Sequence, residues 1–168
     1  MNVIFEKDKC LVKDNNLKSQ LSQKGFGYKK ELNFYIDLFE SHYLLEKKKI
    51  KILDKNKSLS LEKLKEICLK EINNFENKYL VFKDFVESGY VVKDGLIFGF
   101  DFRIYNKSKI GEHTHTVFVV DVKETHKPKE ELVKLVKSER LANTINTKYI
   151  VAIVDKEQKI QKIKIERM

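Results

Sequence analysis

Tyr105 and His115, ten residues apart, bracket a polar loop and form the first pair in this chain suited to acid–base chemistry. The run Leu96–Tyr105 alternates in type. Leu96, Phe98, Phe100, Phe102 and Ile104 fall on one side of an extended strand; Ile97, Gly99, Asp101, Arg103 and Tyr105 fall on the other. Tyr105 closes the polar side, where the strand gives way to the loop Asn106–Thr114. His115 stands at the far end of that loop, opposed to the face formed by Thr116, Phe118, Val120 and Val122. Loops at strand ends often carry function. An imidazole ordinarily titrates near pKa 6.5 and moves protons at neutrality, whereas a phenol near 10 needs a neighbouring cation to act as a base. Each residue has an ordinary alternative, as a half-buried strand tyrosine and a solvated loop histidine. His113 competes with His115 for the same place, and His42 and His126 read as surface residues.

A second constellation is Asp101 followed by Asp121-Val122-Lys123. Two carboxylates and a lysine in that order could hold Mg²⁺ and activate water. The pattern is short and recurs by chance. Cys10 and Cys68 show no metal-ligand spacing such as C-x-x-C, and Cys68 lies on an apolar helix stripe, which suits a core thiol in a reducing interior.

The surrounding composition is that of a folded, basic protein. Of 168 residues, 42% are hydrophobic, and 11 Phe and 7 Tyr can fill real cores, which excludes disorder as the default. The net charge of +9 is shared almost evenly between residues 1–75 and 76–168, so it is a diffuse field rather than a basic tail. Such a field suits a polyanionic partner. A lysine-rich coding bias would produce the same excess, since all but three of the 34 basic residues are lysines. No apolar run has the length of a membrane span, and no leader-like segment opens the chain, so a cytoplasmic protein is expected.

The elements that must position these residues fall in two groups. Val3–Phe5 and Cys10–Val12 predict a hairpin, Phe34–Leu45 a helix, and Ile50–Leu53 a strand. Ser60 caps a helix whose stripe is Leu61, Leu64, Ile67, Cys68, Ile72 and Phe75. Asparagines around Phe75 mark a boundary, giving domains 1–75 and 76–168. In the second, a helix through Tyr79, Phe82, Phe85 and Val86 stops at Gly89. Strands Tyr90–Val92 and Leu96–Tyr105 flank the turn Lys93-Asp94-Gly95. Val117–Val122 is a strand, and Glu130–Thr144 a helix with Leu132, Leu135, Val136 and Leu141 inward. Tyr149–Val154 and Lys159–Ile165 complete the sheet. The expected class is mixed α/β (α+β): a small N-terminal mixed domain, then a mixed-sheet domain with flanking helices.

Three strings in the second half carry a resemblance: Tyr79-Leu80-Val81-Phe82-Lys83-Asp84, Gly89-Tyr90-Val91-Val92-Lys93 and Gly99-Phe100-Asp101-Phe102-Arg103-Ile104-Tyr105. With His115-Thr116-Val117 at its spacing and Tyr149 to Asp155 beyond, the chain resembles tRNA-intron (tRNA-splicing) endonucleases of the archaeal type. The likeness covers nearly all of 76–168 and, more loosely, the first half. It implies a restriction-endonuclease-like second domain and assembly as a dimer, a tetramer or a heteromer with a second subunit. It also implies precursor tRNA as partner, cut at bulge–helix–bulge junctions to leave 2′,3′-cyclic phosphate and 5′-hydroxyl ends, without metal or other cofactor. Tyr105 and His115 match the family's tyrosine and histidine, and Arg140 matches an arginine that stacks on a splayed bulge base.

The chain departs from the family at the catalytic lysine. A gapless reading puts Thr147 there, with Lys148 one position later. If Lys148 lies in the loop before the strand, it can complete the site with Tyr105 and His115, and that is the expectation. The alternative is a structural subunit that holds RNA beside a catalytic partner. A third reading is a metal-dependent, restriction-type nuclease built on Asp101, Asp121 and Lys123. The apolar last hairpin, with Asp155 and Glu157 at its turn, leads us to expect self-association through that hairpin.

Overall fold

A computed structural model of the chain describes residues 1–107, 115–124 and 132–166 (the backbone only at Leu132). The chain is a mixed α+β protein with two compact units, Met1–Phe75 and Glu76–Met168. His113, His126 and Glu130 lie outside the described residues, as does most of the loop between Tyr105 and His115.

The first unit is a six-stranded sheet with helices. Strands β1 (Asn2–Glu6), β2 (Lys9–Val12), β3 (Tyr28–Lys30), β4 (Asn33–Asp37), β5 (Lys51–Asp54) and β6 (Lys57–Leu59) run in the order β3-β4-β2-β1-β5-β6. Only the β1–β5 pair is parallel. Val3, Cys10, Val12, Ile36 and Ile52 alternate onto one side of this sheet and are fully buried. Helices α1 (Asn15–Gln23), α2 (Leu38–Glu46) and α3 (Leu61–Glu71) accompany it. The helix expected over Phe34–Leu45 is therefore two elements. Asp37 divides them: its side chain accepts the Glu40 N–H at 2.8 Å while Glu40 bonds back to the Asp37 N–H at 3.2 Å. That reciprocal cap fixes the helix start at Leu38, so Phe34 and Ile36 are left to the sheet. His42, read as a surface residue, is buried against the Phe75 ring, 5.4 Å between centroids.

The second unit builds a five-stranded sheet from β7 (Tyr90–Asp94), β8 (Phe102–Asn106), β9 (Phe118–Glu124), β10 (Lys148–Val154) and β11 (Ile160–Ile165), in the order β11-β10-β9-β8-β7. Helices α4 (Phe75–Glu87) and α5 (Leu132–Thr144) flank it. Residues paired across strands share a side of the sheet, and the sides are told apart by what packs on them. Phe102 meets Phe82 of α4 at 6.2 Å, and Tyr90 meets Phe85 at 5.9 Å. Val119, Tyr149 and Val151 point the other way, into a cluster with Phe100 and with Ala142 of α5.

Two expectations fail here. Leu96–Tyr105 is not one strand, because Leu96–Phe98 is a 3₁₀ turn and β8 begins only at Phe102. Gly99, at φ +76°, turns the chain, and the Gly95 carbonyl accepts both the Phe98 and Phe100 N–H groups. Leu96 and Ile97 are consequently 70% and 88% exposed, and Phe100 and Phe102 pack on opposite sides of the sheet. In α5, Val136 and Leu141 face outward rather than inward. The stripe that meets the sheet is Leu135, Glu139 and Ala142, one helical face at 3.6-residue spacing.

Candidate active site at one end of the second sheet

Sheet topology brings three strand ends together. β8 and β9 are antiparallel, with Ile104 opposite Phe118, so the end of β8 lies beside the start of β9. β9 and β10 are parallel, with Phe118 opposite Lys148, so their starts coincide. Tyr105, next to last in β8, is half-buried. His115 is exposed, three residues before β9, and the Val117 N–H donates to the Ile104 carbonyl at 2.8 Å, which closes the strands together just there. Tyr105, His115 and Lys148 thus belong to one end of one sheet.

Side-chain direction separates them again. Lys148 pairs with Phe118 and through it with Ile104, on the side that α4 covers. Tyr105, one residue beyond Ile104, takes the opposite side together with Arg103. Lys148 is therefore already in the strand, as the first residue of β10, and not in the preceding loop as expected. Thr147 stands before it, buried. Its hydroxyl donates to the Thr116 carbonyl at 3.1 Å, and its N–H donates to the Ala142 carbonyl at 3.0 Å. The position that a gapless reading gives to the family's lysine is spent on joining two strands and a helix.

Arg103 received no role from its sequence context. Its guanidinium lies over two rings, 5.1 Å from the Phe98 centroid and 5.8 Å from that of Tyr105. Its Nε–H donates to the Asp94 carbonyl at 2.9 Å. Its sequence signals were rarity, as one of three arginines, and its place in the Gly99–Tyr105 string. Arg140 is exposed on α5, on the turn before Thr144, whose hydroxyl donates to the Arg140 carbonyl.

Asp101 and Asp121, the candidate metal carboxylates, have protein partners. Asp101 accepts the Val122 N–H at 2.7 Å and pairs with Lys78 at 2.8 Å. Asp121 accepts the Tyr149 hydroxyl at 2.8 Å. Burial raises the Asp121 carboxyl above its ordinary range, against the bond from Tyr149, which lowers it. These bonds account for both residues as fasteners of the sheet. The thiols offer no nucleophile: burial pushes Cys10 up to about 11 and Cys68 to about 12.

Residues 75–162 match the family model for the catalytic C-terminal domain of tRNA intron endonuclease, and residues 1–65 match that for its N-terminal domain. The chain belongs to the tRNA intron endonuclease family. Its relatives include proteins named tRNA-splicing endonuclease from three archaea. That of Pyrococcus abyssi is 32% identical over 86% of this chain and 82% of its own length. That of Thermococcus onnurineus is 33% identical with the same coverage. That of Methanococcus vannielii is 34% identical over 88% of this chain and 83% of its own. As a member of the tRNA intron endonuclease family, the chain matches both its N-terminal and its catalytic C-terminal domain models.

Proposed function

We propose that this chain is a subunit of a cytoplasmic RNA endonuclease that cleaves precursor tRNA at bulge–helix–bulge junctions. The cut is an internal transfer that needs no metal. The ribose 2′-oxygen attacks the adjacent phosphorus, the bond to the 5′-oxygen breaks, and a 2′,3′-cyclic phosphate and a 5′-hydroxyl remain. One group takes the proton from the 2′-hydroxyl and another gives a proton to the leaving oxygen, from opposite sides of the phosphorus. Tyr105 is assigned to the 2′-hydroxyl and His115 to the leaving oxygen. Arg140, exposed on α5, stacks on a splayed base. The observation that carries the reading is the meeting of the β8 and β9 ends, which puts a tyrosine and a histidine at one end of the sheet.

A second reading has its own observation. Thr147 is buried and bonded, and Lys148 starts β10 on the side away from Tyr105. Both facts favour a non-catalytic subunit in a heteromeric assembly, where a partner supplies the cation that a developing phosphorane requires.

Incubation of the pure protein with a precursor-tRNA transcript in EDTA decides between them. Catalysis by this chain predicts cyclic-phosphate ends, and a loss of roughly 100-fold or more in rate for His115→Ala and Tyr105→Phe. Lys148→Ala tests the lysine itself: normal binding with far slower cutting would return Lys148 to the site despite its direction, and full-speed cutting would remove it. A wild-type protein that is inert alone and active with a second subunit makes the structural reading correct. Loss of activity in EDTA would sink the metal-independent mechanism.

A further inference from the structure

We propose that Arg103 is a phosphate-binding residue, holding the backbone of the bound RNA strand against the Tyr105 side of the sheet. The inference rests on RNA being the substrate, and it deepens that reading by naming a cation for the side of the sheet that Lys148 does not face.

The geometry is that of a guanidinium set in place before any ligand arrives. Arg103 lies two residues before Tyr105 in β8, so both side chains leave the same side of the sheet. The guanidinium lies over the Phe98 and Tyr105 rings, which restricts its plane. One bond, from Nε–H to the Asp94 carbonyl, fixes its rotation. That bond uses one of five donors. Among the described residues no carboxylate pairs with Arg103. The nearest acidic side chain in sequence, Asp101, is occupied by Lys78 and the Val122 N–H, and Asp94 Oδ1 accepts the Leu96 N–H at 2.8 Å.

A full positive charge that is half-buried, held on two rings and opposed by no anion among the described residues is suited to an anion from outside. The planar fork of the terminal amines matches two oxygens of a phosphodiester. Two other lysines are differently engaged: Lys78 is paired with Asp101, and Lys148 belongs to the other side of the sheet, while Lys93 of β7 stands opposite Arg103. The bland alternative is that Arg103 only fastens the Leu96–Phe98 turn to β8. In that case its charge would matter to stability and not to RNA.

Salt dependence separates the two. The probe is a precursor-tRNA transcript carrying 2′-deoxy sugars at its junctions, which removes the attacking hydroxyl and leaves binding alone. A lost phosphate contact lowers the slope of log K against log salt by about 0.7 to 0.9. Arg103→Gln is expected to show that reduction and to bind roughly tenfold more weakly at low salt. Arg103→Lys, which keeps the charge but not the fork, should recover most of the slope and only part of the affinity. An unchanged slope for Arg103→Gln, with a lowered melting temperature, overturns the proposal and leaves the fastener. If the wild-type protein itself fails to bind the transcript, the RNA reading falls and the proposal falls with it. If Arg103→Gln does not fold, Arg103→Lys decides: a wild-type slope with weakened binding supports the contact, and wild-type affinity overturns it.

Discussion

Asp121 shows how much a single buried carboxylate can say about a site. It sits in β9 on the side that α5 covers and accepts the Tyr149 hydroxyl. Its pKa is raised mainly by burial, so the folded state holds the proton more firmly than the unfolded chain does. The stabilising contribution of the protonated form is complete below the unfolded value near 3.8 and is lost as pH rises through the higher folded one. At neutral pH the charge is a burden. Asp121→Asn removes it and keeps an acceptor for Tyr149, so thermal melts at pH 7 should show equal or greater stability. Asp121→Ala leaves the phenol without that acceptor and should cost about 1–3 kcal/mol. A steep loss of stability in the asparagine variant would mean that the carboxylate's charge has a use the fold does not reveal. At this scale the sequence was informative where chemistry alone decides and misleading where direction does. Tyr105 and His115 could be picked out because a strand-to-loop transition is visible in residue types. Lys148 was misplaced because the loop-to-strand transition comes one residue earlier than the apolar run suggests, and one residue reverses a side chain.

Glycine geometry decides the element that precedes the site. A Cβ added at Gly95 would lie 2.7 Å from the Phe100 carbonyl oxygen and 2.9 Å from the Phe102 nitrogen, both fixed backbone atoms. At Gly99 the added Cβ would meet nothing within 4 Å, although φ is +76°. Gly95→Ala should therefore destabilise the second unit by about 1–3 kcal/mol through overpacking. Gly99→Ala should cost about 1 kcal/mol through its left-handed backbone. Chemical denaturation that ranks the two the other way would contradict the close approach at Gly95. The same segment explains why a clean apolar–polar alternation over Leu96–Tyr105 misled. Alternation reports a strand only where the backbone stays extended, and two glycines four residues apart allow a turn instead. The β4–α2 junction is the mirror case. Phe34, Tyr35, Leu38 and Phe39 have helical spacing, but Asp37 and Glu40 form a cap that stops the helix from reaching back. The hairpin of β1 and β2 and the last hairpin were plain in the sequence, because short turns between apolar runs leave few other pairings.

For the molecule as a whole, the exposed side of β11 bears on assembly. Ile163 is 45% exposed at the sheet edge, and Lys162 is drawn back to Asp84 and over the Phe85 ring. The lysines along this strand discourage another strand from pairing with its edge, so contact through the isoleucine-bearing side is the better route. The turn beyond β10 is already folded on itself: Asp155 Oδ1 accepts the Glu157 and Lys159 N–H groups at 2.8 and 2.9 Å. A rigid acidic turn is a suitable docking element for a second subunit. Light scattering at micromolar concentration should report a dimer or larger, and Ile163→Lys should shift it toward monomer. A clean wild-type monomer would count against self-association.

Parallel pairing between β9 and β10 also sets an order in time. β7 with β8, and β10 with β11, join through connections shorter than a helix, so each pair can form locally. β9 and β10 run side by side in the same direction, and they can meet only after the whole segment containing α5 has been brought round. Tyr105 and His115 belong to the early side of that closure, and Thr147 and Lys148 to the late side. The hydroxyl bond from Thr147 to Thr116 spans the seam. The sheet end assigned to RNA is thus a late-closing junction, and its shape depends on the slowest class of contact in the unit.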